Sequence, residues 1–182
     1  MANIVSIIAT PNQSSRLLGV TNYVEQQIRE QGYELSTLQV TSIPAEDLIF
    51  ARFDSPAIAA ANALVEAADA VIIASPVYKA SYSGILKTYL DLLPQKGLDN
   101  KIVAPIFIGG TIAHLLSIDY SLKPVLASLG ARHYISSIYA TDSQVTRTGQ
   151  GDDIAFELND ELQERLDRAI QELRVDLTRR SL

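Results

Sequence analysis

The sequence predicts an α/β fold in which one five-stranded parallel β-sheet is covered by helices on both faces. Two observations predict it. Short apolar runs alternate along the chain with longer segments in which apolar residues recur at helical spacing. Most of these runs are continuous, which is typical of strands buried on both faces. Strands that alternate with helices pair in parallel through right-handed crossovers, and this places helices on both sides of the sheet.

In the first part of the chain, local patterns predict two strands and two helices. The continuous apolar run NIVSIIAT predicts a buried strand over 3–10. Residues 15–32 carry leucine, valine and isoleucine at helical spacing and end at a glycine, so they predict a helix. Residues 33–40 alternate apolar with polar side chains and predict a strand with one wetter face. The Ala-rich segment 55–69 predicts a helix, because Ser55 can cap it and a proline follows in its first turn.

The middle of the chain continues this alternation. The run AVIIAS predicts a second buried strand over 70–75, and the next helix is predicted over 84–93. A third apolar run predicts a strand over 101–110. This strand contains Pro105, which has no backbone N–H for the ladder, so we expect a local bulge there.

The last third completes the sheet. A long helix is predicted over 112–130, a strand over 133–140 and a charged amphipathic helix over 159–180. Five strands in a chain of this length indicate the flavodoxin-like order 2-1-3-4-5, a doubly wound sheet. No repeat, low-complexity segment or linker divides the chain, so we predict a single domain over 1–182.

Composition and charge narrow the class of function. The chain has 182 residues, a length at which a single domain can bury a hydrophobic core. Its composition, 47% hydrophobic and 20% charged, is that of a soluble globular protein. The net charge of −6 argues against nucleic acid or an anionic membrane as the main partner, since both need a basic face. The absence of cysteine excludes a disulfide, a thiolate nucleophile and a Cys-ligated metal. With no signal-peptide pattern and no run long enough to span a bilayer, we expect a cytoplasmic protein.

Three loops are predicted to form the functional site. In doubly wound sheets, ligands bind beyond the carboxyl ends of the strands, at the point where the strand order reverses. The loops that follow strands one, three and four meet there, and they span 9–16, 75–84 and 108–114. All three have unusual compositions.

The 9–16 loop, ATPNQSSR, predicts a phosphate-binding site. It offers hydroxyl, amide and cationic side chains immediately before a helix, where backbone N–H groups are free to bind an anion. These side chains are Thr10, Asn12, Ser14, Ser15 and Arg16. The alternative is that Ser14 or Ser15 merely caps the helix. Because the loop matches neither GxxxxGK[ST] nor GxGxxG, a monophosphate fits better than a triphosphate or a dinucleotide.

The 75–84 loop, SPVYKASYSG, predicts a surface for a planar ring. Pro76 fixes the exit from the strand, Tyr78 and Tyr82 offer flat faces, and small residues let a ligand approach the next helix. The alternative is that the tyrosines pack at an interface and Lys79 is solvated.

The 108–114 loop contains the pair Gly109 and Gly110, which leaves room for a ring edge, and Thr111, which adds a hydroxyl. Ordinary turn chemistry is the alternative for the glycines. His114 is more simply explained as packed or solvated than as catalytic, and with His133 it has no spacing that predicts a zinc site. The chain thus offers no nucleophile, triad or metal cluster, which favours a reaction whose chemistry a bound flavin carries.

The chain resembles the NAD(P)H-dependent FMN reductases, and specifically the flavin reductases of alkanesulfonate utilisation. Four stretches carry the resemblance, in one order: PAEDLIFARFDSPA (44–57), SPVYKASYSGILKTYLDLLP (75–94), GGTIAHLLSIDYSLKPVL (109–126) and ATDSQV (140–145). It implies an enzyme that reduces FMN with NADPH or NADH. The reduced flavin would then pass to a partner monooxygenase such as an alkanesulfonate monooxygenase.

The resemblance also implies site residues and an assembly. The FMN phosphate would contact the five polar residues of the 9–16 loop. The ribityl chain and isoalloxazine would contact Pro76, Val77, Tyr78, Ser83, Gly109, Gly110 and Thr111. Members are homodimers or homotetramers, with the helix of Lys87 and Asp91 at an interface; locally, these two side chains can also pair along one helix face.

Two features separate this chain from the general family pattern. The family commonly begins its phosphate loop with G-S-P-R, whereas this chain has Ala9-Thr10-Pro11-Asn12. The resemblance therefore implies either weaker binding of the phosphate or that Arg16 takes the place of the missing arginine. The second feature is Tyr120, an extra aromatic residue of the sulfonate-type reductases. An inserted residue gives a π-helical bulge, and our hypothesis places Tyr120 at the oligomer interface, where it eases flavin exchange; an ordinary buried tyrosine is the alternative.

Two other functions remain open on the sequence alone. A quinone or azo reductase would keep FMN as a bound prosthetic group, and a flavodoxin-like electron carrier would cage its flavin and not oxidise NAD(P)H directly. A phospho-receiver module is excluded, because the third strand ends in IIASPVY and not in an aspartate.

Overall fold

The computed structural model of the chain describes residues 2–180, except for the side chain of Asp152. Its strands are β1 Asn3–Ile8, β2 Glu34–Gln39, β3 Ala70–Tyr78, β4 Ser81–Tyr82, β5 Ile102–Gly109, β6 His133–Tyr134, β7 Ile138–Thr141, β8 Val145–Thr148 and β9 Ala155–Leu158. Its α-helices are α1 Arg16–Glu30, α2 Ala45–Ile49, α3 Pro56–Ala67, α4 Gly84–Leu90, α5 Lys123–Ser128 and α6 Asp160–Arg180, and a π-helical turn spans Ile118–Leu122.

The main sheet is parallel and runs in the order β2-β1-β3-β5-β6, with β7 also pairing with β5. When β6 and β7 are counted as one interrupted strand, this is the predicted flavodoxin-like order 2-1-3-4-5, and the fold class is confirmed. One apolar cluster fills the face under α3, α4 and α5, and a second fills the face under α1 and α6. The strands at the centre are therefore buried on both sides, which explains their continuous apolar sequences.

The caps predicted for the two early helices are present. The Ser15 hydroxyl accepts a hydrogen bond from the N–H of Leu17, at the start of α1. The Ser55 hydroxyl likewise accepts from the N–H of Ala57, at the start of α3. Each cap satisfies one of the N–H groups that a helix start leaves without a partner.

Pro105 causes a bulge, but in the neighbouring strand. The register of β5 with β3 runs unbroken through the pair Ile73–Pro105. On the other side, Ile102 pairs with His133 and Ile106 with Ile138, so the edge strand carries one residue more than β5 between these pairs. The missing N–H of the proline is accommodated because the edge strand bulges away and splits into β6 and β7.

The long helix predicted over 112–130 is wrong as a single element. A 3₁₀ turn at Ile112–His114 is followed by the π-helical turn and then by α5. The N–H of Lys123 donates to the carbonyl of Ile118, five residues earlier, and Pro124 has no N–H with which to continue α-helical bonding. The π-bulge expected around Tyr120 is therefore present.

The remaining differences lie at the ends of elements and in short ones. The strand predicted over 70–75 continues to Tyr78, and the helix predicted to reach residue 93 ends at Leu90. The hairpin β8–β9 and the short helix α2 were not predicted. Within residues 2–180, no helix combines the length and apolar character needed to cross a bilayer.

Candidate functional site

The three loops predicted to form the site converge on one open cleft at the carboxyl ends of β1, β3 and β5. Its volume is about 180 Å³, which is small and shallow, as expected for a site that leaves part of its ligand exposed. It is lined by Asn12, Ser14, Ser15, Arg16, Pro76, Val77, Tyr78, Ile108, Gly109, Gly110, Asp142 and Arg147. Of the predicted site residues, Thr10, Ser83 and Thr111 lie outside this lining, and Ile108, Asp142 and Arg147 were not predicted.

Hydrogen bonds within the 9–16 loop hold it in an open turn. The buried Thr10 hydroxyl accepts from the N–H of Asn12, at 3.3 Å. The carboxamide oxygen of Asn12 accepts from both the N–H and the hydroxyl of Ser14, each at 2.8 Å. Within residues 2–180 the N–H groups of Gln13 and Arg16 have no acceptor. These two donors, with the Ser14 groups that Asn12 now occupies, are suited to bind an anion.

Two arginines flank this loop. The Nε of Arg16 donates to the carbonyl of Val145 at 2.9 Å, which ties the start of α1 to β8. The Nη1 of Arg147 donates to the carbonyl of Ser14 at 2.8 Å. No short-range pattern connects Arg147 with the 9–16 loop, so sequence reasoning missed it.

The 75–84 loop is a tight hairpin that presents Tyr78. Val77 pairs with Tyr82 and Tyr78 with Ser81, which leaves Lys79 and Ala80 as the two turn residues. Both have positive φ angles, 50° and 63°, a conformation that favours glycine or asparagine. Strain of this kind is often kept at functional sites. The Tyr78 side chain is 48% exposed at the cleft, so one face of its ring is available for stacking.

Ser83 lies behind the cleft and does not line it. Its side chain is buried, and its hydroxyl donates to the carbonyl of Ala9 at 2.6 Å. Its N–H donates to the hydroxyl of Ser75 at 2.8 Å. Ser83 therefore joins the ends of β1 and β3, and it positions the two loops.

Gly109 and Gly110 have different surroundings. A Cβ added at Gly109 would lie 2.3 Å from the hydroxyl oxygen of Tyr139, whereas one at Gly110 would meet only a carboxylate oxygen of Asp142, at 3.9 Å. The Tyr139 hydroxyl in turn donates to the carbonyl of Thr111 at 2.8 Å. Gly109 thus makes room for the tyrosine that holds the 108–114 loop, and Gly110 faces open space.

The Tyr139 hydroxyl is kept in its donor form. Burial, with a smaller contribution from the carboxylate of Asp142, raises the pKa of Tyr139 above its usual value. Thr111 itself is exposed, and its hydroxyl accepts from the N–H of Ala113 at 3.3 Å.

The two histidines do not form a site together. His114 is exposed, and the Nε2 of His133 lies 2.8 Å from a carboxylate oxygen of Asp176. A carboxylate partner for His133 was not expected from the sequence, but a single pair does not constitute a metal site. Among the residues that the structure describes, no three His, Cys, Asp or Glu side chains are grouped to hold a metal ion.

Large apolar side chains are exposed in two segments, 49–53 at the end of α2 and 112–120 after the 108–114 loop begins. Tyr120, in the π-helical turn, is 79% exposed, so it is not the ordinary buried tyrosine of the alternative interpretation. The other exposed apolar residues of these segments are Ile49, Phe50, Phe53, Ile112, Leu115 and Leu116. Lys87 and Asp91 pair on α4, with 2.7 Å between Nζ and Oδ1.

The chain is similar to several known proteins. The model of a family described as NADPH-dependent FMN reductase matches residues 2–146. A protein named FMN reductase (NADPH) from Pseudomonas putida is 46% identical over 97% of this chain and 89% of its own length. One of the same name from Escherichia coli is 42% identical over 78% of this chain and 74% of its own. The apo structure of an NADH:FMN oxidoreductase (EMOB) superposes with a TM-score of 0.84 at 29% identity, over 97% of this chain and 90% of that one.

Proposed function

We propose a function from the premise that this chain belongs to the NADPH-dependent FMN reductase family. It is an oxidoreductase that uses reduced nicotinamide to reduce FMN. Bound FMN supplies the redox chemistry, since its isoalloxazine accepts a hydride from NADPH or NADH. The protein has to place the two planar rings against each other, and no acid, base or metal of its own is required. The observation that carries the proposal is the convergence of the three loops on one cleft that joins anion-binding groups to an open aromatic face.

The residues present suit the FMN phosphate. The free N–H groups of Gln13 and Arg16 lie at the start of α1, where the helix dipole favours an anion. Ser14 and Ser15 add hydroxyls, and Thr10 supports the turn from below. The Asn12 carboxamide now accepts from Ser14, so it must rotate away when a phosphate oxygen takes those donors.

The isoalloxazine would lie across the remainder of the cleft. We assign one face of the ring to Pro76, Val77 and Tyr78, and one edge to Gly110 and Thr111. We assign Gly109 and Ser83 an indirect role, because their contacts with Tyr139 and Ala9 hold the loops in place. The outer face of the ring would stay open to the nicotinamide, because the cleft is open to solvent.

We further propose that the enzyme acts as a homodimer or homotetramer. The exposed apolar side chains of the segments 49–53 and 112–120 form surfaces that a second copy would bury. The helix that carries Lys87 and Asp91 would lie at an interface, as the family resemblance implies. Tyr120, exposed on its π-helical turn, would contact a neighbouring subunit near the flavin and ease its exchange. Deletion of Tyr120 should then leave FMN bound and the purified protein yellow; a colourless variant with normal turnover would contradict this role.

We propose that the reduced flavin leaves the enzyme and serves a flavin-dependent monooxygenase, with an alkanesulfonate monooxygenase as the first candidate, in the cytoplasm where NAD(P)H is available. A cleft that is open on one side is consistent with release of the flavin. The alternatives, a quinone or azo reductase and an electron carrier, both require FMN to stay bound.

One experiment tests the function. Oxidation of NADPH and of NADH by the purified protein is followed at 340 nm with FMN, FAD or riboflavin as the varied acceptor. We expect saturation with FMN, a higher KM for riboflavin, which has no phosphate, and little flavin in the protein as purified. FMN that co-purifies in stoichiometric amount and does not exchange would favour a prosthetic group. No nucleotide oxidation with any flavin would overturn the proposal.

A further inference from the structure

We propose that Arg147, carried by the hairpin β8–β9, supplies the principal cation for the FMN phosphate. The inference rests on the proposed function, because it assumes that the 9–16 loop binds a phosphate. It adds a residue that specifies phosphorylated flavin over unphosphorylated flavin, and it places that residue far along the chain from the loop that it serves.

The contact of Arg147 with the loop is direct. Its Nη1 donates to the carbonyl of Ser14 at 2.8 Å, so the guanidinium lies beside the residue that precedes the helix cap Ser15. Among the side chains that the structure describes, which do not include that of Asp152, its Nε and Nη2 have no acceptor, although the side chain lines the cleft. A phosphate held by the loop N–H groups would lie within reach of these donors, and the planar fork of arginine matches two phosphate oxygens.

The other arginine that lines the cleft is Arg16. The Nε of Arg16 is bonded to the carbonyl of Val145, so that guanidinium holds the hairpin as well as facing the cleft. The cleft also contains a carboxylate, that of Asp142, near Gly110. A phosphate dianion in a protein whose net charge is −6 therefore gains from a further cation beside Ser14, where Arg147 lies.

The hairpin is built to hold Arg147 in place. A Cβ at Gly19, inside α1, would lie 2.5 Å from the Cβ of Phe156, so β9 packs directly against the helix backbone. A glycine inside a helix costs about 1 kcal/mol relative to alanine, and here it allows this close approach. The N–H of Asn159 closes the base of the hairpin on the carbonyl of Gln144, at 3.0 Å. Arg147 thus has a fixed backbone on which to present its side chain.

The family model matches residues 2–146 and does not include Arg147. The role of Arg147 is therefore inferred from its contacts in this chain alone.

The test is Arg147→Gln, with Arg174→Gln on α6 as the matched control for loss of one exposed positive charge. Kd values for FMN and for riboflavin are measured by quenching of flavin fluorescence. We expect Arg147→Gln to weaken FMN binding by roughly ten-fold, the loss of one charge-assisted contact, and to leave riboflavin binding unchanged. The FMN affinity of Arg147→Lys should lie between those of the wild type and Arg147→Gln, because lysine keeps the positive charge but not the planar guanidinium. Arg174→Gln should match the wild type with both flavins.

The outcomes separate this inference from the proposed function. If the wild type prefers FMN over riboflavin and Arg147→Gln keeps that preference, Arg147 is not the phosphate cation, although the enzyme still reduces FMN. An equal loss of affinity for both flavins would assign Arg147 a purely structural role and would also overturn the inference. If the wild type neither binds FMN nor oxidises NAD(P)H, the proposed function itself fails.

Discussion

Replacement of Gly109 by alanine should destabilise the protein, for a reason that concerns Tyr139. Gly109 does not have a positive φ angle, so alanine is compatible with its backbone conformation and the effect is steric. The new Cβ would lie 2.3 Å from the hydroxyl oxygen and 3.2 Å from the Cζ of Tyr139. The tyrosine ring is fully buried, so it cannot move aside freely.

The magnitude follows from two contributions. Overpacking of a buried site costs about 1–3 kcal/mol, and loss of the hydrogen bond from Tyr139 to Thr111 adds about 1 kcal/mol. We therefore expect Gly109→Ala to lower the free energy of unfolding by roughly 2–4 kcal/mol. Tyr139→Phe removes only the hydrogen bond and should cost about 1 kcal/mol. In the double variant the obstructing oxygen is absent, so it should be about 2 kcal/mol more stable than the sum of the single effects predicts.

The assay is urea unfolding of the four proteins, followed by circular dichroism, with m values compared to establish that the unfolding transition is the same. Gly110→Ala is the matched control, because its Cβ would meet only a carboxylate oxygen of Asp142, at 3.9 Å. It should change the free energy of unfolding by less than about 0.5 kcal/mol. Equal stability of Gly109→Ala and Gly110→Ala, or strictly additive effects in the double variant, would refute the reasoning.

Three further predictions concern other contacts. Ser83→Ala should lower the free energy of unfolding by about 1–3 kcal/mol in urea, because it leaves the buried carbonyl of Ala9 without its donor; unchanged stability would contradict the positioning role. Ser55→Ala should cost about 2–4 kcal/mol in the same assay, because it removes both the α3 cap and the buried hydrogen bond to the Asp47 carboxylate, and Ser55→Asn should restore part of the cap. Burial, and then the hydrogen bond to Asp167, raise the pKa of Tyr23 to about 12. A raised pKa gives stability that is complete below the ordinary value near 10 and is lost as the pH rises through 12, so the wild type should lose more stability than Tyr23→Phe across that window.

The strand order and the main helices could be predicted because their signals are local. Continuous apolar runs identify strands that are buried on both faces, and Ser15 and Ser55 cap their helices through contacts two residues away. The topological rules for parallel sheets then bring the 9–16, 75–84 and 108–114 loops together. This is why most of the lining of the cleft could be named from the sequence.

What could not be predicted depends on contacts between distant segments. From the sequence, Ser83 was predicted to line the ligand site, and its hydrogen bond to the carbonyl of Ala9 is visible only in the fold. Gly109 was predicted to leave room for the edge of a ring, but the hydroxyl group of Tyr139 occupies that room. Arg147 lies on a hairpin whose strands are each four residues long, too short for a periodic signal.

The interrupted outer strand of the sheet also bears on solubility at high concentration. An edge strand with a long row of unpaired backbone groups can template the addition of strands from other molecules, which is a common route to aggregation. Here that border consists of pieces of two and four residues, β6 and β7, separated by the bulge opposite Pro105. This edge therefore has no long row of backbone groups with which a strand of another molecule could pair. Pro105, which interrupts the pairing within the sheet, thereby also disfavours edge-to-edge aggregation at β6 and β7.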